Sequence, residues 1–148
     1  ICVGYRLFTD EGSVAFFPDN EPHCRYDAEG QMRPTRKDAS LEYARGQEEK
    51  MLDFIRGADV LILDAQYDRE EHEDHIGWGH GCVDDVVAVA MKAGVKKLFL
   101  FHHDPDHDDA KIDSMLAHAR ELVAAQRSSL IVDAATEGVV VELVRAGK

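Results

Sequence analysis

Histidines and carboxylates crowd the stretch "LFLFHHDPDHDD" (98–109): His102 and His103 end an apolar run, and His107 and five aspartates follow by Asp113. Imidazole and carboxylate packed this closely suit metal ligation or proton transfer. His102 comes directly after four apolar residues, so if buried it needs a partner or an ion. His103 falls on the opposite face if the strand persists, and the two neighbours then cannot serve one ion from an extended backbone. His107 reads as exposed, and Asp108 and Asp109 read first as the N-cap of a following helix. His80 lies in "GWGHG", where flanking glycines permit close backbone approach and Trp78 can wall off one side. His72 and His75, in "HEDH", read as solvated.

The elements that must position these groups follow from periodicity. Residues 2–8 and 13–17 read as a hairpin about the turn "TDEG", and 18–38 as a long loop. Leu41, Ala44, Met51, Leu52 and Ile55 recur at helical spacing until Gly57. "ADVLIL" (58–63) is a buried-strand run, followed by a second long loop over 64–81. Val83, Val86, Val87, Ala90 and Met91 share one helix face, and "VKKLFLF" (95–101) is the next strand. Ile112, Met115, Leu116, Ala119, Leu122 and Val123 make the clearest amphipathic helix. "SLIVDA" (129–134) and "GVVVELV" (138–144) close the chain as strands.

The order ββ-αβαβαββ predicts an α/β fold with parallel pairing in a single domain over residues 1–148. Parallel strands deliver their C-terminal ends to one rim, where ligands bind in such sheets. Three successive strands run out at Asp19, Asp64 and His102, which places a ligand or proton carrier from each on that rim.

The net charge is −12, and residues 59–113 hold fourteen Asp or Glu against five Lys or Arg. This is either a solvated surface or a field that attracts cations. No basic face is visible for gripping an extended polyanion, so a nucleic-acid partner is not expected. Cys2, Cys24 and Cys82 lack the pairing of a disulfide framework or a zinc ribbon, and no apolar run reaches membrane-spanning length. A reducing cytoplasm is the default compartment. The chain opens on Ile1 in what reads as mid-strand, as a piece of a longer domain would.

"YRLF…VAFFPDNEP", "GADVLILDAQYD" and "GWGHG…AVAMKAGVKKLFLFHHDPDHDD" together resemble the C-terminal half of metallo-β-lactamase-fold hydrolases. The similarity is to the branch related to tRNA-maturation endonucleases and phosphodiesterases, and it runs over roughly residues 4–143. The resemblance implies an αββα sandwich, of which this chain supplies the C-terminal half as βαβαβ units with short terminal strands. It implies two divalent metal ions, zinc by preference, with manganese and iron also compatible with His and Asp ligands. Asp19 matches the carboxylate that bridges the two ions, and His102 matches the last metal-binding histidine. Asp64 and His80 match an acid–histidine pair that assists proton transfer to the leaving oxygen, with His103 and Trp78 nearby as substrate-facing or supporting groups.

The activity implied is hydrolysis of a phosphodiester or similar small anionic ester through a metal-bound hydroxide. The family's His-x-His-x-Asp-His signature is not in this sequence. Two tightly held ions take about five to seven protein ligands, so this chain by itself is expected to be inactive. The missing ligands are expected from an N-terminal half, and self-association stays open. Two other readings compete. One is a non-catalytic sensor or interaction module that keeps the scaffold. The other is a metal binder on a flavodoxin-like, all-parallel sheet. "Leu63-Asp64-Ala65-Gln66" and "His80-Gly81-Cys82" stand where the endonuclease branch has His-Glu-Ala-Thr and His-Ser-Thr.

Overall fold

The computed structural model describes residues 3–26 and 31–144. Strands β1 (Tyr5–Thr9) and β2 (Gly12–Phe17) pair antiparallel across a tight turn, as the hairpin pattern predicts. From β2 onward the pairing within the main sheet is parallel. Helix α1 (Leu41–Ile55) leads to β5 (Val60–Asp64), helix α3 (Val83–Lys92) to β6 (Lys97–Phe101), and helix α4 (Asp109–Ala125) to β7 (Ile131–Ala134). The strands form one sheet in the order β1-β2-β5-β6-β7. Its antiparallel edge distinguishes it from the all-parallel sheet of the flavodoxin-like alternative.

Alternation within the strands divides the sheet's faces. Ala15, Leu61, Leu63, Leu98, Leu100 and Val132 point to the helices and pack on Ile55, Val83, Val86, Val87, Met115, Ala119 and Val123. Val14, Phe16, Val60, Ile62, Phe99 and Phe101 point the other way, into a groove of about 520 Å³. The described helices therefore pack against one face of the five-stranded sheet. Among the described residues, 135–143 cross the second face, with Val139, Val141 and Leu143 against it. The alternation that predicts a strand at 138–144 is present there, but no ladder forms among the described residues, and Val140 stays largely in solvent.

Both long loops hold structure that periodicity did not reveal. The first contains a small antiparallel pair, β3 (Cys24–Tyr26) and β4 (Met32–Pro34). It is pinned to α1 by a Tyr26–Glu48 hydrogen bond and to α3 by the Tyr26 N–H on Asp85. The second contains helix α2 (Arg69–His75), seven residues without an aliphatic side chain. A capping box starts α2: the Asp68 carboxylate accepts from the Glu71 N–H, and Glu71 accepts from the Asp68 N–H. Arg69 then grips Asp85 of α3 with two hydrogen bonds of 2.9 and 2.8 Å. No helix among the described residues is long and apolar enough to cross a membrane.

Leu98 is fully buried between β5, β7 and the helix layer. Leu98→Ala is expected to lower the stability of the fold by about 2–5 kcal/mol through lost burial and a residual cavity. Chemical denaturation monitored by circular dichroism reads this as a lower midpoint with an unchanged slope.

Candidate metal and catalytic site

The register of β2, β5 and β6 sets Phe17 beside Leu63 and Asp64 beside Phe101. Three strand ends therefore meet at one rim, as their parallel order requires. Asp64 closes β5 and is 0% exposed. Its Oδ1 accepts from the N–H groups of Gln66 and Gly81, both at 3.1 Å, and its Oδ2 accepts from the Asn20 N–H at 3.2 Å. Oδ2 also faces two imidazoles, His80 Nδ1 at 2.7 Å and His102 Nδ1 at 3.3 Å. A carboxylate held by three N–H groups is the acceptor, so the proton in each of those contacts lies on the histidine Nδ1.

His102 leaves the sheet with φ of +61°, a left-handed conformation uncommon outside glycine. This bend ends the strand, and with it the premise that His103 simply takes the opposite face. The His102 ring lies between two carboxylates, with Nδ1 toward Asp64 and Nε2 3.6 Å from Asp19 Oδ1. His80 packs against it, with ring centroids 4.8 Å apart. Asp19, Asp64, His80 and His102 each bring a ligand atom within 4.8 Å of the others. A histidine that gives its Nδ1–H to a buried carboxylate and turns Nε2 toward an exposed aspartate is a donor set suited to a divalent cation. The residues present fit such an ion.

Glycine is required where the two loops meet. A Cβ at Gly81 would lie 2.2 Å from the carbonyl oxygen of Asp64. Only a bare backbone lets the segment carrying His80 close on the end of β5.

The structure places the remaining sequence candidates apart from these four. Trp78 is 67% exposed at the tip of the loop. His103 is half-buried, with neither ring nitrogen hydrogen-bonded, and burial lowers its pKa below the usual histidine value. Three expectations need correction. His72, read as solvated, is fully buried, with Nε2 3.5 Å from Glu21. His75 is stacked on Tyr67 at 4.4 Å. His107, read as exposed, is largely buried against Glu71 at 3.0 Å. Each is drawn in by helix α2, which the sequence pattern did not show. Asp108 caps α4 as expected, accepting from the Lys111 N–H at 2.8 Å.

No family model matches the chain. It is similar to ribonuclease Z of Thermoplasma volcanium, 34% identical over 80 residues, which is 53% of this chain and 26% of that protein. It is similar also to ribonuclease Z of Brevibacillus brevis, 30% identical over 79 residues, 51% of this chain and 25% of that protein. The chain thus spans about a quarter of the length of these curated relatives. Its backbone superposes on the metallo-β-lactamase fold protein YhfI of Bacillus subtilis with a TM-score of 0.59, covering 92% of this chain and 42% of that one at 16% identity. This chain has the metallo-β-lactamase fold. The fold implies divalent-metal binding, and the Asp19–Asp64–His80–His102 group is where these residues offer ligands for it.

The relatives also overturn one expectation. The acidic balance argued against nucleic acid, yet the related proteins are named as ribonucleases. A charge summed over the whole chain says little about local fields. Basic side chains are in fact unevenly spread, and Arg25, Arg33, Lys37, Arg69 and Lys92 line a single groove.

Two predictions arise from this arrangement. Gly81→Ala should separate His80 from Asp64 and so displace the His80 imidazole resonance in NMR spectra, with a loss of stability of about 1–3 kcal/mol. The brace of α2 should also fail in acid. Burial raises the Asp68 and Glu71 carboxyls, but the Lys111 ammonium and the cap N–H groups outweigh it and hold both below their ordinary values of 3.8 and 4.5. Their contribution is complete above those values and is lost as pH falls through the lowered ones. Amide exchange in α2 should therefore rise below about pH 4, before the sheet amides lose protection.

Proposed function

We propose that this chain carries the proton-transfer pair and two metal ligands of a two-metal phosphodiesterase that cleaves RNA. The observation that carries the reading is the His80 Nδ1 contact with buried Asp64 at 2.7 Å, beside the donors of Asp19 and His102. The similarity to ribonuclease Z supports the substrate class.

Asp19 and His102 would hold the metal ions, each with a donor atom that suits a divalent cation. The chemistry that bound divalent ions supply here is polarisation of a phosphoryl oxygen and a lowered pKa of bound water, toward about 7. Zinc suits the donors best, and manganese or iron would also fit them. Asp64 holds His80 in one tautomer. His80 Nε2 then carries the proton to the leaving oxygen as general acid. Gln66, Gly81 and Asn20 fix Asp64 through their N–H groups, so the pair meets substrate already aligned.

The same reading makes residues 1–148 the C-terminal part of a longer metallo-β-lactamase domain. The support is the apolar sheet face lined by Phe16, Ile62, Phe99 and Phe101, which a second sheet would cover in an αββα sandwich. The rest of that domain would supply the remaining metal ligands. A reducing, cytoplasmic setting is part of the reading, since Cys24 and Cys82 are buried free thiols.

The test is cleavage of a single-stranded RNA by the protein that carries this chain, with chelation and metal add-back. His80→Ala and Asp64→Asn should each lower kcat by about 10²–10⁴ while metal content is kept. His102→Ala should lose metal measured by mass spectrometry. Unchanged turnover in the first two variants, or unchanged metal in the third, would reverse the assignment of roles.

A further inference from the structure

Trp78 is the chain's one tryptophan, and it stands 67% exposed two residues before His80. Single exposed aromatics are ordinary on a protein surface, and what sets this one apart is its place beside His80 and the way it is held. The ring is not loose. It meets His75 edge to face, with centroids 4.7 Å apart at 82°. His75 is in turn stacked on buried Tyr67 at 4.4 Å and 17°, and its Nδ1 bonds the Glu71 carbonyl at 2.6 Å. Tyr67 presents an edge to His80 at 6.3 Å. A continuous row of rings thus runs from the candidate site to an open indole.

The backbone is braced to match. The Trp78 N–H donates to the His75 carbonyl at 3.0 Å, and the Gly77 N–H donates to Glu21 at 2.7 Å. Gly77 and Gly79 flank the tryptophan with φ of +91° and +98°, and a Cβ on either would meet nothing within 4 Å. Among the described residues His75 is the indole's ring partner, and the two flanking glycines put no side chain beside it.

We propose that Trp78 is a stacking platform for an unpaired nucleobase next to the phosphate handled by Asp64 and His80. The substrate is then single-stranded where it is cut. This assignment rests on the phosphodiesterase reading. Stacking on an aromatic face suits it because every base has a π-face, so strands of varied sequence are held equally well.

The experiment uses the metal-loaded protein with His80→Ala to slow cleavage, a short single-stranded RNA, and an abasic oligonucleotide of equal charge. The part of the indole emission that Trp78→Phe removes is that of Trp78, and it should be quenched by the RNA but not by the abasic strand. With a labelled RNA, Trp78→Ala should weaken binding on the order of ten-fold, Trp78→Phe should restore most of it, and abasic binding should stay unchanged. Equal loss for both strands, or emission indifferent to RNA, overturns the platform; the second result would leave a protein partner as the occupant of Trp78. Base-dependent quenching in a protein whose unsubstituted form never cleaves RNA keeps the platform and overturns the phosphodiesterase reading. Cleavage without base dependence does the reverse.

Discussion

A single buried carboxylate organises this end of the molecule. Asp64 is removed from water at the close of β5, and an ionisable group in that position is costly unless its acceptor sites are filled. They are filled from three segments distant in sequence: Asn20 past β2, Gly81 before α3, and His102 past β6, joined by His80 and by Gln66 two residues on. Each segment is tied down at the point where it carries a chemically active side chain or its neighbour. Satisfying Asp64 and assembling the site are therefore one event in folding.

The surroundings share this economy of anchors. Helix α2 has no aliphatic side chain, so packing alone would not hold it. It is kept by charge and hydrogen bonds at both ends: Asp68 and Glu71 to Lys111 of α4, Arg69 to Asp85 of α3, and Glu73 to Arg25 of β3. Because α2 carries His75, it also sets the position of the loop that brings Trp78 and His80 round. A change at the α2–α4 contact would reach the site through that loop without touching it.

Much of the fold was legible because its signals are local. Buried parallel strands are written as apolar runs such as "ADVLIL" and "KLFLF", and α4 as a regular stripe from Ile112 to Val123. The meeting of Asp19, Asp64 and His102 could be foreseen, since parallel order alone brings those strand ends to one rim. What failed to show depended on partners far along the chain. Nothing in "HEDH" says that His72 will be buried near Glu21, or that seven polar residues will be helical once Lys111 arrives. The run "GVVVELV" has strand alternation, but a strand exists only with a neighbour to pair with, and among the described residues it has none. The exclusion of nucleic acid failed for a related reason, because net charge averages away the place where a substrate binds.

On the proposed reading one carboxylate orients two imidazoles with different roles, and the difference needs a cause. Both rings give Nδ1–H to the same oxygen of Asp64, so tautomer cannot separate them. Their second neighbours do. His102 is 38% exposed and has its Nε2 3.6 Å from Asp19, in a pair of anionic groups that would draw a cation to that nitrogen. His80 is 22% exposed and has the ring of Tyr67 beside it, with Asp64 as its ion-pair partner. His80 makes the shorter Asp64 contact, 2.7 Å against 3.3 Å, so Asp64 holds its ring the more closely. On the proposed reading, the division between metal ligand and proton carrier comes from the position of Asp19, two residues beyond β2, and from nothing intrinsic to either histidine.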